Sequence, residues 1–319
     1  MTTNFWQNLP KPFFMLAPMA DVTDAVFRRL IAKYGKPDVL YTEFVSVDGL
    51  CSAGRENLLI DLKYTDAERP IVAQIFGSKP ENFKIAAELC VTLGFDGIDI
   101  NMGCPDKNIQ KQCAGAALIK HPQLAKEIIQ ATKEGAADLP VSVKTRIGDR
   151  TNELETWLPN LLETKPSAII IHARTRQEMS KVPAKWETVK QAVEIAKDSG
   201  VLIVGNGDVK DLTDARQKAA ASGADGIMLG RAIFGNPWLF SPDKKVTLTE
   251  KLNVMIEHTK LFETLLAPHK NFAIMKKHYK AYVNGFDGAK ELRVRLMQTT
   301  SAAEVEEITT DWLNKNVIS

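Results

Sequence analysis

Short apolar segments alternate with longer amphipathic segments between residues 13 and 229, and this alternation restricts the fold more than any other feature of the sequence. The amphipathic segments have the apolar spacing of surface helices. The short segments, such as Ala168-Ile169-Ile170-Ile171, are apolar at nearly every position, which indicates parallel strands buried on both faces. The predicted strands lie at 13–17, 39–44, 70–75, 97–101, 141–144, 168–172, 201–204 and 226–229.

A strand followed by a helix, repeated along the chain, is the pattern of βαβ units and of the α/β fold class. Eight such units predict a closed (β/α)8 TIM barrel. An open doubly wound sheet is the alternative, but no GxGxxG motif follows the first strand, which argues against a dinucleotide-binding opening. The predicted helices lie at 23–34, 80–93, 122–135, 153–162, 186–197 and 211–221.

The pattern changes after Phe240. Residues 241–245, Ser-Pro-Asp-Lys-Lys, indicate a linker, and no strand pattern follows them. Apolar spacing predicts a helix from about Thr249 and further helices over 271–284 and 289–298, and a fourth helix opens near Thr300 with N-cap chemistry. We therefore divide the chain into a catalytic barrel at 1–242 and a small, all-helical C-terminal domain at 243–319.

Composition and charge exclude several classes of protein. Hydrophobic residues make up 45% of the chain and charged residues 25%, which is typical of a folded globular protein, and the net charge is only +2, so any basic surface must be local. The sequence shows no signal-peptide pattern and no apolar stretch long enough to cross a bilayer, so we expect a cytoplasmic protein with no membrane partner. No CxxC pair is present, so we expect reduced thiols and no metal; nothing demands a second subunit, so we expect a monomer.

Polar or otherwise distinctive residues lie at the ends of all eight predicted strands. Because active sites of (β/α)8 barrels lie at the carboxyl ends of the strands, we predict an active site at this rim. A single polar residue at a strand end often only caps a loop, but eight in succession indicate more than loop capping. The residues brought to the rim are Ala17–Ala20, Glu43, Gln74, Asn101–Pro105, Lys144, Arg146, His172, Arg174, Gly205–Asp208, Gly230 and Arg231.

Glycine-bearing turns, Gly205–Asp208 and Gly230-Arg231, follow the last two strands. Loops at these positions commonly bind phosphate through backbone N–H groups and a short helix, and Arg231 adds a charge-assisted donor. The glycines could instead serve only to permit tight turns. Phosphate binding is the favoured interpretation, with a sugar phosphate or flavin mononucleotide (FMN) as the ligand.

Cys104 lies between Gly103 and Pro105, directly after a predicted strand. The glycine permits a sharp turn and the proline stiffens the following segment, so the thiol is expected to face the cleft. With an ordinary pKa of about 8.5, a thiol stays mostly protonated at neutral pH and is able to donate a proton. A buried apolar role is the alternative for a cysteine, and it suits Cys51 and Cys90 better.

Taken together, the strand-end residues and parts of the C-terminal helices resemble the tRNA-dihydrouridine synthases. The match covers nearly the whole chain in the right order, and the set is far more specific than any one motif. The segment Ile100–Pro105 is most similar to the bacterial B-type enzymes. The matching segments are Leu16–Asp24, Gln74–Gly77, Asp99–Pro105, Lys144–Arg146, His172–Arg176, Asn206–Asp208, Gly230–Ala232, Lys276–Tyr279 and Gly288–Arg293.

The resemblance implies an FMN enzyme that reduces specific uridines in the D-loop of tRNA to 5,6-dihydrouridine, with NADPH as the reductant. It implies that hydride passes from flavin N5 to uracil C6 and that Cys104 is the catalytic acid that protonates C5. By the same resemblance, Pro18, Met19 and Ala20 contact FMN, and Gln74 and Lys144 hold the isoalloxazine. The residues implied on the ribityl phosphate side are His172, Asn206, Gly207, Asp208, Gly230 and Arg231.

Basic residues of the C-terminal helices are candidates for contacts with tRNA. Such residues are often only the solvated face of a helix. The resemblance favours a tRNA track that includes Lys276, Lys277 and Arg293, with Lys270, Lys280 and Arg295 as further candidates, and with Lys107 and Lys111 beside the cleft. Asn101 and Arg174 are predicted to contact the substrate nearer the flavin.

The sequence departs from the family pattern at two places. Asp21 stands where the family usually has glycine, and aspartate tolerates unusual backbone angles better than most residues. Residues 179–185 lack the glycine-containing segment that often follows the Arg174-Thr175-Arg176 motif, which puts the local contacts with substrate in question.

Three other functions fit part of the pattern. A flavin barrel reductase of small molecules, similar to dihydroorotate dehydrogenase or old yellow enzyme, explains the rim but not the basic helices. A tRNA-binding folding helper without required catalysis explains the helices but not the rim. An aldolase or isomerase without flavin would use Lys144 as a Schiff-base lysine, although acid–base partners for it are not evident.

Overall fold

The protein is described by a computed structural model over residues 4–316, and the predicted (β/α)8 barrel is confirmed. Parallel strands follow one another around the barrel, and the first strand pairs with the last. A bridge between Met15 and Val39 joins the first strand to the start of the second and closes the ring. The strands are β1 (Phe13–Leu16), β2 (Leu40–Tyr41), β3 (Val45–Ser46), β4 (Ile71–Phe76), β5 (Gly97–Met102), β6 (Val141–Arg146), β7 (Ala168–His172), β8 (Leu202–Asn206) and β9 (Gly226–Leu229).

The predicted second strand is interrupted, so that β2 and β3 are two short pieces that both pair with β4. Between them, the hydroxyl of Thr42 accepts a hydrogen bond from the backbone N–H of Gln74 at 3.0 Å. The Thr42 hydroxyl replaces a backbone carbonyl oxygen as the acceptor for Gln74. Glu43 and Phe44 are therefore not part of the hydrogen-bonded strand. The interruption therefore lies at the rim, next to the predicted site.

Six helices of the barrel lie at the predicted positions, and the short helices between β3 and β4 and after β5 were not predicted. Asp24 caps the first helix by accepting from the N–H groups of Val26 and Phe27, as expected for an N-cap aspartate. The barrel helices are α1 (Ala25–Tyr34), α2 (Val47–Leu50), α3 (Arg55–Leu58), α4 (Pro80–Thr92), α5 (Lys107–Lys111), α6 (Pro122–Gly135), α7 (Leu154–Leu162), α8 (Trp186–Ile195) and α9 (Leu212–Ser222).

The inside of the barrel is apolar at the amino ends of the strands. Trp6, from a 3-10 turn before β1, packs edge-on against Phe13 with 5.8 Å between ring centroids. Met15, Tyr41 and Ile170 continue this buried cluster toward the middle of the barrel. The polar side chains that line the cavity lie at the opposite end, so the barrel is a packed support for one open rim.

Four α-helices follow the barrel, as the sequence predicts: α10 (Leu248–Leu265), α11 (Met275–Tyr282), α12 (Ala289–Leu296) and α13 (Ala302–Asn316). Thr247 and Glu250 form a capping box that starts α10. These helices share an apolar cluster with barrel residues Val26 and Trp238, so they pack directly on the barrel. Within residues 4–316, no helix is both long and apolar enough to span a membrane.

Candidate active site

A cavity of about 300 Å³ opens at the carboxyl ends of the strands. It gathers residues from the loop after β1, from the interruption between β2 and β3, and from the carboxyl ends of β4 to β9, so residues far apart in sequence meet at one rim. The predicted site residues that line it are Pro18, Met19, Gln74, Asn101, Cys104, Lys144, His172, Arg174, Asn206, Gly207, Asp208, Gly230 and Arg231.

Other predicted residues lie outside the lining of this cavity. Ala20 is exposed on the turn after β1, and Lys107 is exposed on α5. Lys276 and Lys277 are on α11 and Arg293 is on α12, in the C-terminal helical region. Lys270, which the sequence places in a surface track, is instead largely buried against the barrel.

Some residues that line the cavity were not predicted from the sequence, and one was predicted at the rim without an assigned function. Phe44 and Ser180 line the cavity, although neither was singled out in the sequence. Phe44 is the last residue of a predicted strand, and this position was the available signal. Ser180 belongs to the segment 179–185, which gives none. Arg146 was placed at the rim without a function, and it donates to the carbonyl oxygen of Gly103 at 2.7 Å beside the cysteine loop.

Lys144 provides a half-buried amine in the cavity. Its Nζ lies 3.2 Å from Asn206 Oδ1, and the Asn206 amide is itself fixed by donating to the Met228 carbonyl oxygen at 2.8 Å. Burial lowers the pKa of Lys144 to about 8, and the charge of Arg146 lowers it further. A partly desolvated ammonium that faces the cavity is suited to bind an anionic or hydrogen-bond-accepting group there.

Cys104 lies in the loop between β5 and α5, half-buried at the edge of the cavity. Its backbone N–H donates to Asn101 Oδ1 at 2.9 Å, and its carbonyl oxygen accepts from Ala116 at 3.0 Å. Gly115 packs behind it with φ of +60°, and a Cβ there would lie 2.8 Å from the Cys104 carbonyl oxygen. Burial raises the pKa of the thiol, so Cys104 is a proton donor rather than a thiolate at neutral pH.

Asp208 organises the side of the site that follows β7, β8 and β9. One of its oxygens accepts from Arg231 at 2.6 Å, and the other pairs with Arg174 and accepts from the Ala184 N–H at 3.0 Å. Burial alone would raise the pKa of Asp208, but these partners outweigh burial and lower it. The neighbouring Gly207 has φ of +128°, a region that favours glycine.

The lining carries more positive than negative charge. Lys144, Arg146, Arg174 and Arg231 face a cavity that also contains Asp208. Burial, followed by the charges of Lys144 and Arg146, holds the pKa of His172 well below its usual range, so its imidazole is neutral. The arrangement suits an anionic ligand.

Both departures from the family pattern have a structural account. Asp21 takes φ of +52°, in the left-handed region that glycine favours, and its N–H donates to Glu43. Two arginines hold the segment 179–185 through its backbone carbonyl oxygens. Arg146 donates to the Met179 carbonyl oxygen at 2.9 Å, and Arg174 donates to the Val182 carbonyl oxygen at 2.6 Å. The cavity's own arginines therefore anchor this segment without its glycine.

The chain matches known proteins over nearly its full length. The family described as dihydrouridine synthase (Dus) matches residues 15–317. A protein named "Probable tRNA-dihydrouridine synthase 2" from Bacillus subtilis (strain 168) is 42% identical over 323 residues, which cover 99% of this chain and 98% of the relative. A "Probable tRNA-dihydrouridine synthase" from Staphylococcus epidermidis (strain RP62A) is 42% identical over 315 residues, which cover 97% of this chain and 96% of the relative.

Two solved structures are similar in fold. The old yellow enzyme homologue from Zymomonas mobilis superposes with a TM-score of 0.50 at 15% identity, and covers 73% of this chain and 89% of its own. A 2-naphthoyl-CoA reductase complex has a TM-score of 0.54 at 12% identity and covers 76% of this chain, which spans about half (52%) of that structure's chain. At these identities the likeness supports the barrel alone. The match of the family over residues 15–317, together with relatives 42% identical along the whole chain, shows that this protein belongs to the dihydrouridine synthase family.

Proposed function

We propose that this protein reduces uridines in the D-loop of tRNA to 5,6-dihydrouridine, with FMN as the bound cofactor and NADPH as the reductant. Family membership supports the reaction. The observation that carries the proposal is that a protonated thiol, Cys104, and an amine, Lys144, line one cavity at the barrel rim. A proton donor and a cationic cofactor site in one cavity are what a reduction of this kind needs.

The donor set of the cavity fits FMN. Arg231 beside Asp208 suits the phosphate, and the amine of Lys144 suits the electron-rich edge of a flavin. Gly230 leaves a space: a Cβ there would lie 3.7 Å from Ala17 Cβ and 4.0 Å from Met19 Sδ, so it would clash with neither but would fill part of the cavity. A glycine at this place is consistent with a ligand lying against the backbone.

Within this proposal, Pro18 and Met19 contact the flavin, with Ala20 next to them on the same turn outside the lining. Gln74 and Lys144 hold the isoalloxazine. Asn101 and Arg174 contact the substrate. The residues assigned to the ribityl phosphate side are His172, Asn206, Gly207, Asp208, Gly230 and Arg231.

FMN held by Gln74 and Lys144 would, once reduced by NADPH, supply a hydride to C6 of uracil. The C5–C6 double bond then becomes an enolate across C5, C4 and O4. Cys104 donates its proton to C5, which completes the single bond and leaves a thiolate. Because the Cys104 side chain is only half-buried, water is able to return the proton to it after turnover.

Recognition of tRNA is assigned to the C-terminal helices and to the rim beside the cysteine. Lys280, Lys290 and Arg293 line a groove of about 340 Å³ on α11 and α12, next to the exposed side chain of Val294. Lys277 Nζ lies 3.7 Å from Oδ2 of Asp21, and Asp21 is on the turn that leads into the cavity. A nucleic acid bound to these helices would therefore be close to the site. The target uridine must leave its stack to enter, and this costs less in a loop than in a duplex.

The first experiment is an absorption spectrum of the purified protein, repeated after anaerobic addition of NADPH. We expect yellow flavin bands that bleach with NADPH and return when unmodified tRNA is added, together with dihydrouridine in the tRNA. A colourless protein that takes up no FMN would overturn the cofactor assignment. Return of colour with free uridine or an enone, but not with tRNA, would favour a reductase of small molecules instead.

A further inference from the structure

A buried carboxylate with no role in the proposal above lies inside the barrel, below the cavity. Asp99 is on β5, and its side chain is fully buried. One of its oxygens accepts from the Ser142 hydroxyl at 2.6 Å, and the other accepts from Gln74 Nε2 at 2.7 Å. Burial raises the pKa of Asp99 to about 6, so the group is ionised at neutral pH and acts only as an acceptor.

This acceptor determines the orientation of two amides. Because Gln74 directs its NH2 group to Asp99, its Oε1 atom must point the other way, where it accepts from Asn101 Nδ2 at 3.1 Å. Asn101 is oriented in turn with Oδ1 toward the loop after β5. That oxygen accepts the backbone N–H groups of Gly103 at 3.1 Å and of Cys104 at 2.9 Å.

Four groups thus form one directional chain of hydrogen bonds from the centre of the barrel to the cysteine loop. We propose that Asp99 is a positioning residue, which fixes the Cys104 loop through Gln74 and Asn101 and so sets where the thiol stands in the cavity. The inference rests on the proposed function, since it deepens the role assigned to Cys104. Asp99 itself does not line the cavity and is not a catalytic residue.

Asp99 fixes the two amides because a carboxylate has only acceptor atoms, whereas an amide has both a donor and an acceptor end. A buried amide is able to flip and exchange its donor and acceptor ends, whereas a carboxylate offers only acceptors and backbone N–H groups only donors. The chain has a carboxylate at one end and backbone N–H groups at the other, so both amides between them have one satisfied orientation. Loss of the carboxylate would leave the Gln74 amide without an acceptor in a buried site, and the chain would lose one fixed end.

Three variants separate this role from simple support of the barrel. Asp99→Ala removes the acceptor for Gln74. Asp99→Asn keeps an acceptor for Gln74, because its own NH2 group is able to donate to the Ser142 hydroxyl instead. Ser142→Ala removes the other hydrogen bond of the same carboxylate and leaves the Gln74 contact intact.

The main measurement is the rate at which iodoacetamide alkylates each cysteine of the purified protein as a function of pH, followed by mass spectrometry. In Asp99→Ala we expect Cys104 to react several-fold faster than in the wild type and with a lower apparent pKa, because a loosened loop exposes the thiol. Cys90, which is fully buried on α4, should stay as unreactive as before and so reports that the barrel has not opened. Asp99→Asn and Ser142→Ala should resemble the wild type at Cys104.

Turnover with tRNA gives a second readout. In Asp99→Ala we expect kcat to fall by roughly one to two orders of magnitude, as misplacement of a reacting group by about 1 Å does, while KM for tRNA changes little. Asp99→Asn should restore most of kcat.

Unchanged Cys104 alkylation in Asp99→Ala, or equal acceleration at Cys90 and Cys104, would overturn the positioning role. Failure of Asp99→Asn to restore the wild-type rates would also overturn it, because the charge rather than the direction of the hydrogen bond would then matter. The alkylation assay needs neither flavin nor tRNA. Loss of the proposed reaction in the wild type would therefore be seen separately from failure of this inference.

Discussion

Lys270 inserts its ammonium group between two carboxylates of the barrel, with Nζ 2.6 Å from Glu43 Oε2 and 2.7 Å from Asp61 Oδ1. Lys270 lies in the loop after α10, so this contact joins the C-terminal helices to the end of the second strand. The other oxygen of Glu43 accepts the N–H of Asp21, at the turn that leads into the cavity. The C-terminal helices are therefore connected to the wall of the site through one lysine and one glutamate.

Replacement of this lysine should destabilise the protein far more than replacement of a surface lysine. Lys270→Met leaves Glu43, which is 5% exposed, as a carboxylate without its cation, and we expect the free energy of unfolding to fall by about 3 kcal/mol. Lys260→Met is the matched control, because Lys260 pairs with Glu306 at the same 2.6 Å distance but in solvent; we expect a loss below about 1 kcal/mol. Urea denaturation of both variants measures the difference. Equal losses of unfolding free energy would show that Lys270 stabilises the fold no more than a surface ion pair does.

The barrel and its rim were predictable from the sequence because both depend on local patterns. Fully apolar runs such as 168–171 are buried on both faces only in a parallel sheet, and the carboxyl ends of such strands meet at one rim. The residues at the carboxyl ends of the strands, among them Lys144 and His172, were thereby placed together without knowledge of any contact. The C-terminal helices were predictable for the same reason, from apolar spacing alone.

What the sequence did not reveal depends on contacts between distant residues. The break between β2 and β3 follows from one hydrogen bond between Thr42 and Gln74, which no local pattern records. The burial of Lys270 depends on Glu43, more than two hundred residues earlier, so by sequence it looked like an exposed lysine of a basic helix. The sequence assigns Asp99 no role beyond its place in a motif, because its role depends on side chains of neighbouring strands.

The space beside Gly230 gives a test of the cofactor site. Gly230→Ala should lower FMN affinity at least about fivefold, since a methyl group placed in a close-packed contact costs roughly 1–3 kcal/mol. Its Cβ would approach no described protein atom closer than 3.7 Å. We therefore expect thermal unfolding of the FMN-free protein to change little. Fluorescence titration with FMN measures the affinity, with Gly54→Ala, on an exposed turn, as the control; wild-type affinity in Gly230→Ala would remove this glycine from the FMN site.

The pKa of Lys144 gives a test by pH. Its pKa is lowered to about 8 by burial, so in the free protein the amine loses its charge as the pH rises through about 8. The charged form binds the electron-rich flavin edge better, so FMN affinity should fall between pH 7.5 and pH 9, where Lys144 deprotonates. Lys144→Met should bind FMN more weakly at pH 7 and lose this pH dependence. A wild-type affinity that does not change across this range would separate Lys144 from the flavin.

Stability should respond to the same group in the opposite sense. Lysine in the unfolded chain keeps its ordinary pKa near 10.5, above the value in the fold, so the unfolded state binds more protons between about pH 8 and pH 10.5. The contribution of Lys144 to folding therefore becomes more favourable as the pH rises through this window. Wild type and Lys144→Met compared by urea denaturation at pH 7.5 and pH 9.5 should differ in this slope, and parallel slopes would contradict the lowered pKa.

Cys104 should affect one half of the catalytic cycle only. Cys104→Ala is expected to reduce oxidation of the bound flavin by tRNA by about 10²–10⁴-fold, the usual contribution of a general acid, with NADPH bleaching the flavin at the wild-type rate. Stopped-flow absorbance separates the two half-reactions. Cys113→Ser, an exposed cysteine nine residues further on, is the control and should leave both rates unchanged. Equal slowing of both half-reactions in Cys104→Ala would show that the thiol supports the flavin rather than the substrate.

The tRNA track is tested best at Lys276, because the adjacent Lys277 lies beside Asp21 and its reversal would also disturb the rim. Lys276→Glu should weaken tRNA binding and reduce the slope of log affinity against log salt concentration by about one, as expected when one phosphate contact is lost. Lys197→Glu makes the same charge change in the loop after α8, at the amino ends of the strands, and should leave the slope unchanged. Filter binding at several salt concentrations measures both. If the two variants lose affinity equally, the attraction comes from net charge and not from a track on the C-terminal helices.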